Sequence, residues 1–368
     1  MDHLIRRRER LALAAKAAQL DVLAVSNPIN VSYITGFSGD SSWLLLAPTI
    51  AVLVSDGRYE VQIAEECRDL EMVIRKPNQT ILEAVAATLS SLGAHLVGLE
   101  ANHVTLADAE KLRELAPSVS LRAISGAVES FRRVKDASEL EQIREAIGFA
   151  EKAYDMFRAG LKPSDTEKSL VDAMESYVRQ AGGTCTAFPT LVGIGDRSAL
   201  PHVPPSDRRV EEADFLLLDW GASGRFYKSD LTRMMVTGER KRKVESRLEK
   251  LYTTVLKAQE IAIAAIRPGV KAADIDRAVR THLETEGLAE KFNHGLGHGF
   301  GLQIHEGPFT RPNSQDVFEA GMVTTVEPGV YIPGWGGIRI EDDVLVTPDG
   351  CEVLTRVAKD PASVFGSI

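Results

Sequence analysis

A chain of 368 residues, 44% hydrophobic and 26% charged, is long enough for two domains with substantial cores and carries no compositional mark of disorder. Its net charge of −9 and pI near 5.5 argue against nucleic acid as the main partner, because phosphate binding needs a basic surface. No run approaches a membrane span, no apolar stretch follows Arg6-Arg7-Arg8 as in a secretion signal, and Cys67, Cys185 and Cys351 form no paired framework; a cytoplasmic protein is expected.

In chain order, the first part alternates short apolar runs with helical periodicity. A helix is predicted over residues 4–20, strands at 22–25, 43–46, 50–54, 72–74 and 96–99, and further helices at 81–92 and 106–115. This is the pattern of a small α/β domain. Asn27-Pro28, the stretch Gly36 to Asp40, and Asp56-Gly57 read as turns between its elements. Periodicity breaks over 125–134, after which Asp136 opens a long amphipathic helix with Glu139 as a capping-box partner. An N-terminal α/β domain over residues 1–131 and a second domain over 132–368 follow.

The second part echoes itself. Arg158-Ala-Gly160-Leu-Lys162-Pro-Ser-Asp165 recurs as Arg267-Pro-Gly269-Val-Lys271-Ala-Ala-Asp274, each after a long helical pattern that should end at the glycine and before a second one that stops at Gly182 or Gly287. The offset is too long for a solenoid repeat of roughly 20 to 50 residues. Two related αα-β halves about a pseudo-twofold fit better, an α+β arrangement with a central cleft.

Acidic residues stand where that cleft needs explaining. Phe215-Leu-Leu-Leu runs straight into Asp219, Tyr227-Lys-Ser leads to Asp230, Met322-Val-Thr-Thr-Val ends in Glu327, and Gly337-Ile-Arg339-Ile-Glu341 alternates apolar with charged residues. Carboxylates at buried strand ends need a cation. The stretch His294 to His305 adds three of the chain's eight histidines to glycines at every second position, a bare backbone edge suited to close approach by substrate or by the acid-bearing strands. Four carboxylates and a histidine make an oxygen-rich ligand set for two adjacent divalent ions, and hard oxygen donors favour Mn2+, with Co2+ or Zn2+ able to substitute.

These motifs together resemble the pita-bread metallopeptidases, in particular the Xaa-Pro aminopeptidase (aminopeptidase P) and Xaa-Pro dipeptidase (prolidase) branch. The matching pieces are Asp219 before a Gly-Ala turn, Ser229-Asp230-Leu-Thr-Arg233, Gly297-His298-Gly299, Val326-Glu327-Pro-Gly329 and Arg339-Ile-Glu341-Asp342. Leu200-Pro-His202, His305, and upstream Asn30 to Phe37, Ser55 to Tyr59 and Arg133-Val-Lys135-Asp136 extend the likeness over nearly the whole chain. The resemblance implies a pita-bread catalytic domain behind a creatinase/prolidase-like N-terminal domain, metal ligands Asp219, Asp230, His298, Glu327 and Glu341, and Glu327 as general base. It also implies His305 and His202 as donors to the reacting carbonyl, although from its own surroundings His202 reads as an exposed loop residue. Arg339 is expected beside Glu341, and Phe309, Arg311 and Tyr33 are candidates for contact with substrate; Trp335, in a Gly-Pro turn, reads equally as cleft wall or exposed turn. The implied substrates are small peptides with proline at the second position, and the implied assembly is a homodimer.

Many prolidase-like relatives place Arg directly after a Glu-x-Pro that follows the second histidine. Here Glu306-Gly-Pro308 is followed by Phe309, with Arg311 two positions on, so the expected activity is that of an Xaa-Pro aminopeptidase, with a strict Xaa-Pro dipeptidase as the alternative. A metal-free creatinase-like hydrolase or a non-catalytic binding homologue should have lost ligands, and none is lost. A two-metal phosphatase should show basic groups for phosphate around the site, and this acidic chain offers few.

Overall fold

The computed structural model describes residues 2–237 and 246–365. They form two compact units, divided between Arg132 and Arg133. In the first, α1 (Asp2–Ala17) precedes a six-stranded sheet of β1 (Val22–Val25), β2 (Ser42–Leu46), β3 (Ala51–Ser55), β4 (Glu71–Ile74), β5 (Leu96–Glu100) and β6 (Ser120–Ile124), in the order β4-β3-β2-β1-β5-β6. Only β2 runs antiparallel to its neighbours. Helices α2 (Pro28–Thr35), α3 (Glu60–Glu66), α4 (Ile81–Ser91), α5 (Leu106–Leu115) and α6 (Glu129–Arg132) complete the unit. Ala24, Leu45, Val54 and Val97 are packed with Val85 and Leu89 of α4, which is why these strands read as unbroken apolar runs.

Two differences from the sequence reading have local causes. Asn27-Pro28 starts α2 instead of turning between strands: Asn27 Oδ1 accepts the Ile29 N–H at 3.0 Å and Pro28 takes the first helical position, a pairing with as strong a preference for helix starts as for turns. Strand β6 lies at the sheet's edge with none of its five residues buried, so it shows no apolar alternation to detect.

The second unit opens with α7 (Ala137–Gly160) and α8 (Glu167–Ala181), followed by β7 (Cys185–Thr186), β8 (Leu191–Ile194), β9 (Phe215–Trp220), β10 (Ala222–Ser223) and β11 (Leu231–Val236). The echo follows: α9 (Ser246–Ala265), α10 (Ala272–Thr285), β12 (Gly297–Gly299), β13 (Glu306–Thr310), β14 (Val323–Val326), β15 (Gly329–Ile332), β16 (Gly336–Arg339), β17 (Asp342–Val346) and β18 (Cys351–Val353), with α11 (Pro361–Phe365) last. The capping box at α7 is present, Asp136 Oδ1 accepting from Glu139 N at 3.0 Å and Glu139 Oε2 from Asp136 N at 3.0 Å. Helix α9 stops at Ala265, short of Gly269, because Pro268 disfavours helical geometry in the residue before it.

Strand β9 carries the packing of both halves. Leu216, Leu218 and Trp220 are buried with Phe157 of α7 and Met174 of α8, whereas Phe215 and Leu217 are buried with Val255 of α9 and Ile275 of α10. An alternating strand with helices on both faces has no polar side to show. Among the described residues no helix is long and apolar enough to cross a membrane.

Candidate active site

Five side chains gather at a cleft of about 500 Å3 in the second unit. Asp219 sits near the end of β9, Asp230 just before β11, His298 in the middle of β12, Glu327 directly after β14 and Glu341 between β16 and β17. The hairpin register sets Asp219 opposite Thr232 and Trp220 opposite Leu231, so the two aspartates are diagonal neighbours and do not face each other across the ladder. Alternation along β16 sends Ile338 into the core and Arg339 to the cleft.

The glycines of the His294 to His305 segment have a definite neighbour. A side chain at Gly297 would strike the Thr325 carbonyl oxygen, and one at Gly299 the Gly307 carbonyl. The bare edge therefore lies against β14 and β13, not against the strands that carry the aspartates, while Gly295 and Gly297 also line the cleft. Pairing of β12 with β13 is irregular between His298 and Gly299, and the intervening loop returns the chain so that the His298 and His305 rings meet at 4.4 Å between centroids, 71° apart. The same register sets Phe309 opposite His298.

Asp230, His298 and Glu341 present ligand atoms that all lie within 4.8 Å of one another. His298 Nε2 is 3.6 Å from Asp230 Oδ2 and 3.4 Å from Glu327 Oε1, while Nδ1 is 3.1 Å from the Gly299 carbonyl. With the proton assigned to Nδ1, Nε2 faces the acids with a free lone pair. Burial holds the His298 pKa down near 4, so the ring is neutral at physiological pH. Burial also raises the pKa of Asp230 and Glu341 well above the carboxylate range, with Glu341 the main charged neighbour of Asp230 and Glu327 that of Glu341. Glu327 and Asp219 are raised by burial too, both partly offset by Arg339.

Desolvated carboxylates this close together need a proton or a cation between them. Asp219 Oδ1 fits that description most directly: it is buried and has no hydrogen-bond partner. The donor set, four carboxylates and one neutral imidazole, suits hard or borderline divalent ions.

Arg339 is the fixed counter-charge. It pairs with the Asp219 carboxylate and donates to Tyr331 Oη at 2.7 Å and Thr232 Oγ1 at 3.1 Å. Thr232 Oγ1 in turn donates to Glu341 Oε2 at 2.6 Å. Burial alone would favour a neutral guanidinium, but Tyr331, Asp219, Glu327 and Glu341 hold Arg339 protonated. His294, left without a task by its sequence context, lines the cleft with Nε2 3.0 Å from Tyr331 Oη. Thr232, Tyr331 and Asp343, whose Oδ2 accepts the Asp230 N–H at 3.1 Å, escaped the sequence reading. Their only local signal was a polar residue inside a buried strand.

His202 and His305 both line the cleft, as do Phe309 and Arg311. Arg311 is exposed and stacks its guanidinium over Phe309 at 5.1 Å. Apolar walls are supplied by Phe188, Pro189, Leu191 and Ile304. Two residues lie in other surroundings. Tyr33 belongs to the first unit, buried with Arg7 4.3 Å over its ring and its hydroxyl donating to the Phe131 carbonyl at 3.2 Å. Trp335 packs on Phe215 at 5.6 Å beneath Arg247, so it is a core-edge residue and not a cleft wall.

Behind the histidine loop lies a buried ion pair. Lys135 Nζ, fully shielded from solvent, donates to Glu306 Oε1 at 2.7 Å, in space that a side chain at Gly301 would fill. Removing one partner of such a pair strands a buried charge, so Lys135→Met should cost about 3–5 kcal/mol of stability. Chemical denaturation would read it, and a variant within ~1 kcal/mol of the parent would show the pair to be dispensable.

Residues 141–348 match metallopeptidase family M24, and residues 7–134 match the creatinase/prolidase N-terminal domain. The chain belongs to metallopeptidase family M24. Within it, the uncharacterized peptidase YqhT of Bacillus subtilis is 31% identical over 341 residues, covering 93% of this chain and 95% of the relative. A solved Xaa-Pro dipeptidase from Bacillus anthracis superposes with a TM-score of 0.92 at 34% identity, over 97% of this chain and 99% of the other. The X-Pro aminopeptidase of Thermotoga maritima gives a TM-score of 0.89 at 32% identity, over 96% and 99%. The M24 chain thus has the pita-bread fold behind a creatinase-type N-terminal domain, as its motifs implied.

Proposed function

We propose that this M24 metallopeptidase hydrolyses the bond between an N-terminal residue and a following proline, using two divalent ions, most readily Mn2+, held by Asp219, Asp230, His298, Glu327 and Glu341. The observation that carries this reading is the buried carboxylate cluster around the neutral His298, with Asp219 Oδ1 unpartnered beside it. When bound, such ions polarise a carbonyl and lower the pKa of water.

The chain's own groups supply the rest. Glu327 takes a proton from the attacking water as its oxygen bonds to the scissile carbonyl carbon, then returns it to the proline nitrogen as the C–N bond breaks. His202 and His305, on the accessible side of the cleft, donate hydrogen bonds to the oxygen that gains charge. Burial lowers the His305 pKa, so this ring acts as a neutral N–H donor. Arg339, braced by Tyr331 and Thr232, holds Asp219 in place by a direct ion pair. The domains assigned to this work are 132–368 for catalysis and 1–131 for the N-terminal module.

Substrate length turns on Arg311. The sequence places no arginine directly after Glu306-Gly-Pro308, which favours an aminopeptidase open to longer peptides. The fold nonetheless sets Arg311 at the cleft, exposed over Phe309, where it offers a cation to the free carboxylate of a dipeptide. This observation favours a second reading, Xaa-Pro dipeptidase. Steady-state kinetics on Xaa-Pro and Xaa-Pro-Yaa decide between them. On the dipeptidase reading, Arg311→Ala should lower kcat/KM for dipeptides about tenfold to a hundredfold and leave tripeptides nearly unchanged, the loss of one charge-assisted hydrogen bond. A parent enzyme that prefers tripeptides, with dipeptide cleavage indifferent to the substitution, would restore the aminopeptidase.

A further inference from the structure

We propose that Gln259, a residue of α9 outside the cleft, is a positioning residue that sets the spacing of Glu327 and Glu341 for metal binding, an inference that rests on the metallopeptidase reading above. The inner face of α9 is mostly apolar, with Leu251, Val255, Ala258 and Ala262 in the core. Gln259 is 0% exposed among them. A buried amide is costly unless its hydrogen bonds are made.

Its bonds go to two particular places. Nε2 donates to the Val326 carbonyl at 3.0 Å and to the Ile340 carbonyl at 3.2 Å. These residues immediately precede Glu327 and Glu341. The β14–β17 ladder ends at Val326 opposite Asp342, and the β15–β16 ladder resumes with Gly329 opposite Arg339. In the gap between them, where the two glutamates leave the backbone, one long bond remains, from the Ile340 N–H to the Pro328 carbonyl at 3.4 Å, and Pro328 has no N–H to return. Gln259 supplies the donors that the interrupted ladder lacks. One planar amide holding both carbonyls fixes the separation of the two backbones at the point where the carboxylates leave them.

The amide is itself oriented. Gln259 Oε1 accepts from Lys359 Nζ at 2.6 Å, so the nitrogen must face the carbonyls. Lys359 also pairs with Asp342, Asp342 with Arg233 at 2.7 Å, and Arg233 donates to the Glu341 carbonyl. Both sides of Glu341 are therefore tied into one polar network behind the cleft.

The test uses the full chain, Mn2+ as probe, and the variants Gln259→Met and Gln259→Glu. Methionine keeps the volume and loses both donors; a glutamate carboxylate keeps the partnership with Lys359 but cannot donate to two carbonyls. Calorimetric titration should show Mn2+ bound about tenfold to a hundredfold more weakly by both variants, with kcat at saturating Mn2+ lowered about tenfold or more and KM within about threefold. Thermal melts of the metal-stripped variants should remain cooperative. Unchanged Mn2+ affinity and kcat in both variants would overturn the proposal, as would loss of folded protein in both, which would make Gln259 a core residue only. A parent protein that binds no Mn2+ and ignores chelator would instead overturn the metallopeptidase reading.

Discussion

Glu327→Gln, assayed at Mn2+ high enough to fill the site, should lower kcat about a hundredfold to ten-thousandfold with KM close to that of the parent, the range expected when a positioned general base is lost. Glutamine keeps the shape and one carbonyl oxygen, so Thr325 Oγ1, now 3.3 Å from Glu327 Oε1, still finds an acceptor. What disappears is one ligand charge, which added Mn2+ can compensate, and the ability to take a proton from water, which it cannot. Steady-state kinetics on an Xaa-Pro substrate, paired with metal analysis of the same preparation, checks the result. Turnover within about tenfold of the parent would remove Glu327 as the base.

Stripping divalent ions should abolish turnover and lower stability, because the carboxylates of Asp219, Asp230, Glu327 and Glu341 are then left to one another, to Arg339 and to protons. The pKa values of Asp230 and Glu341 are raised by burial first and by neighbouring acids second, so cation binding must displace protons and should weaken as pH falls. At a free Mn2+ concentration a hundred times the Kd, the stabilisation is about 2.7 kcal/mol, visible as a higher melting temperature. Chelator dialysis followed by Mn2+ titration, with activity and melting read together, is the measurement. His298→Ala should blunt both responses, and activity that survives chelation would sink the metal site.

Much of the second unit was legible because its signals are local. Asp136 and Glu139 form the capping box that their spacing implies, and the apolar run into Asp219 is a strand buried on both faces. The glycine alternation from 295 to 301 announced close backbone approach, since only glycine tolerates it. Its partner was not legible, because Thr325 and Gly307 are brought there by a fold and not by a spacing. Arg311 shows the same limit from the other side: counted along the chain it is displaced from Glu306-Gly-Pro308, whereas in space it stands at the cleft.

By itself the sequence determined helices, strands and two related halves, because capping and apolar periodicity are written in neighbouring residues, and the resemblance of its motifs to a known family implied the pita-bread architecture and which acids and histidines to suspect. Only the tertiary structure decided how those residues meet. It set the diagonal register of Asp219 and Asp230, faced His298 onto His305, made Arg339 the counter-charge of Asp219, and placed Gln259 behind both glutamates. The contacts of Arg339 with Asp219 and of Gln259 with the strands before the glutamates join residues far apart in the chain, and the physical forces that fix them, burial of β9 between two helix pairs and satisfaction of polar groups in the gap between ladders, exist only once the core has closed.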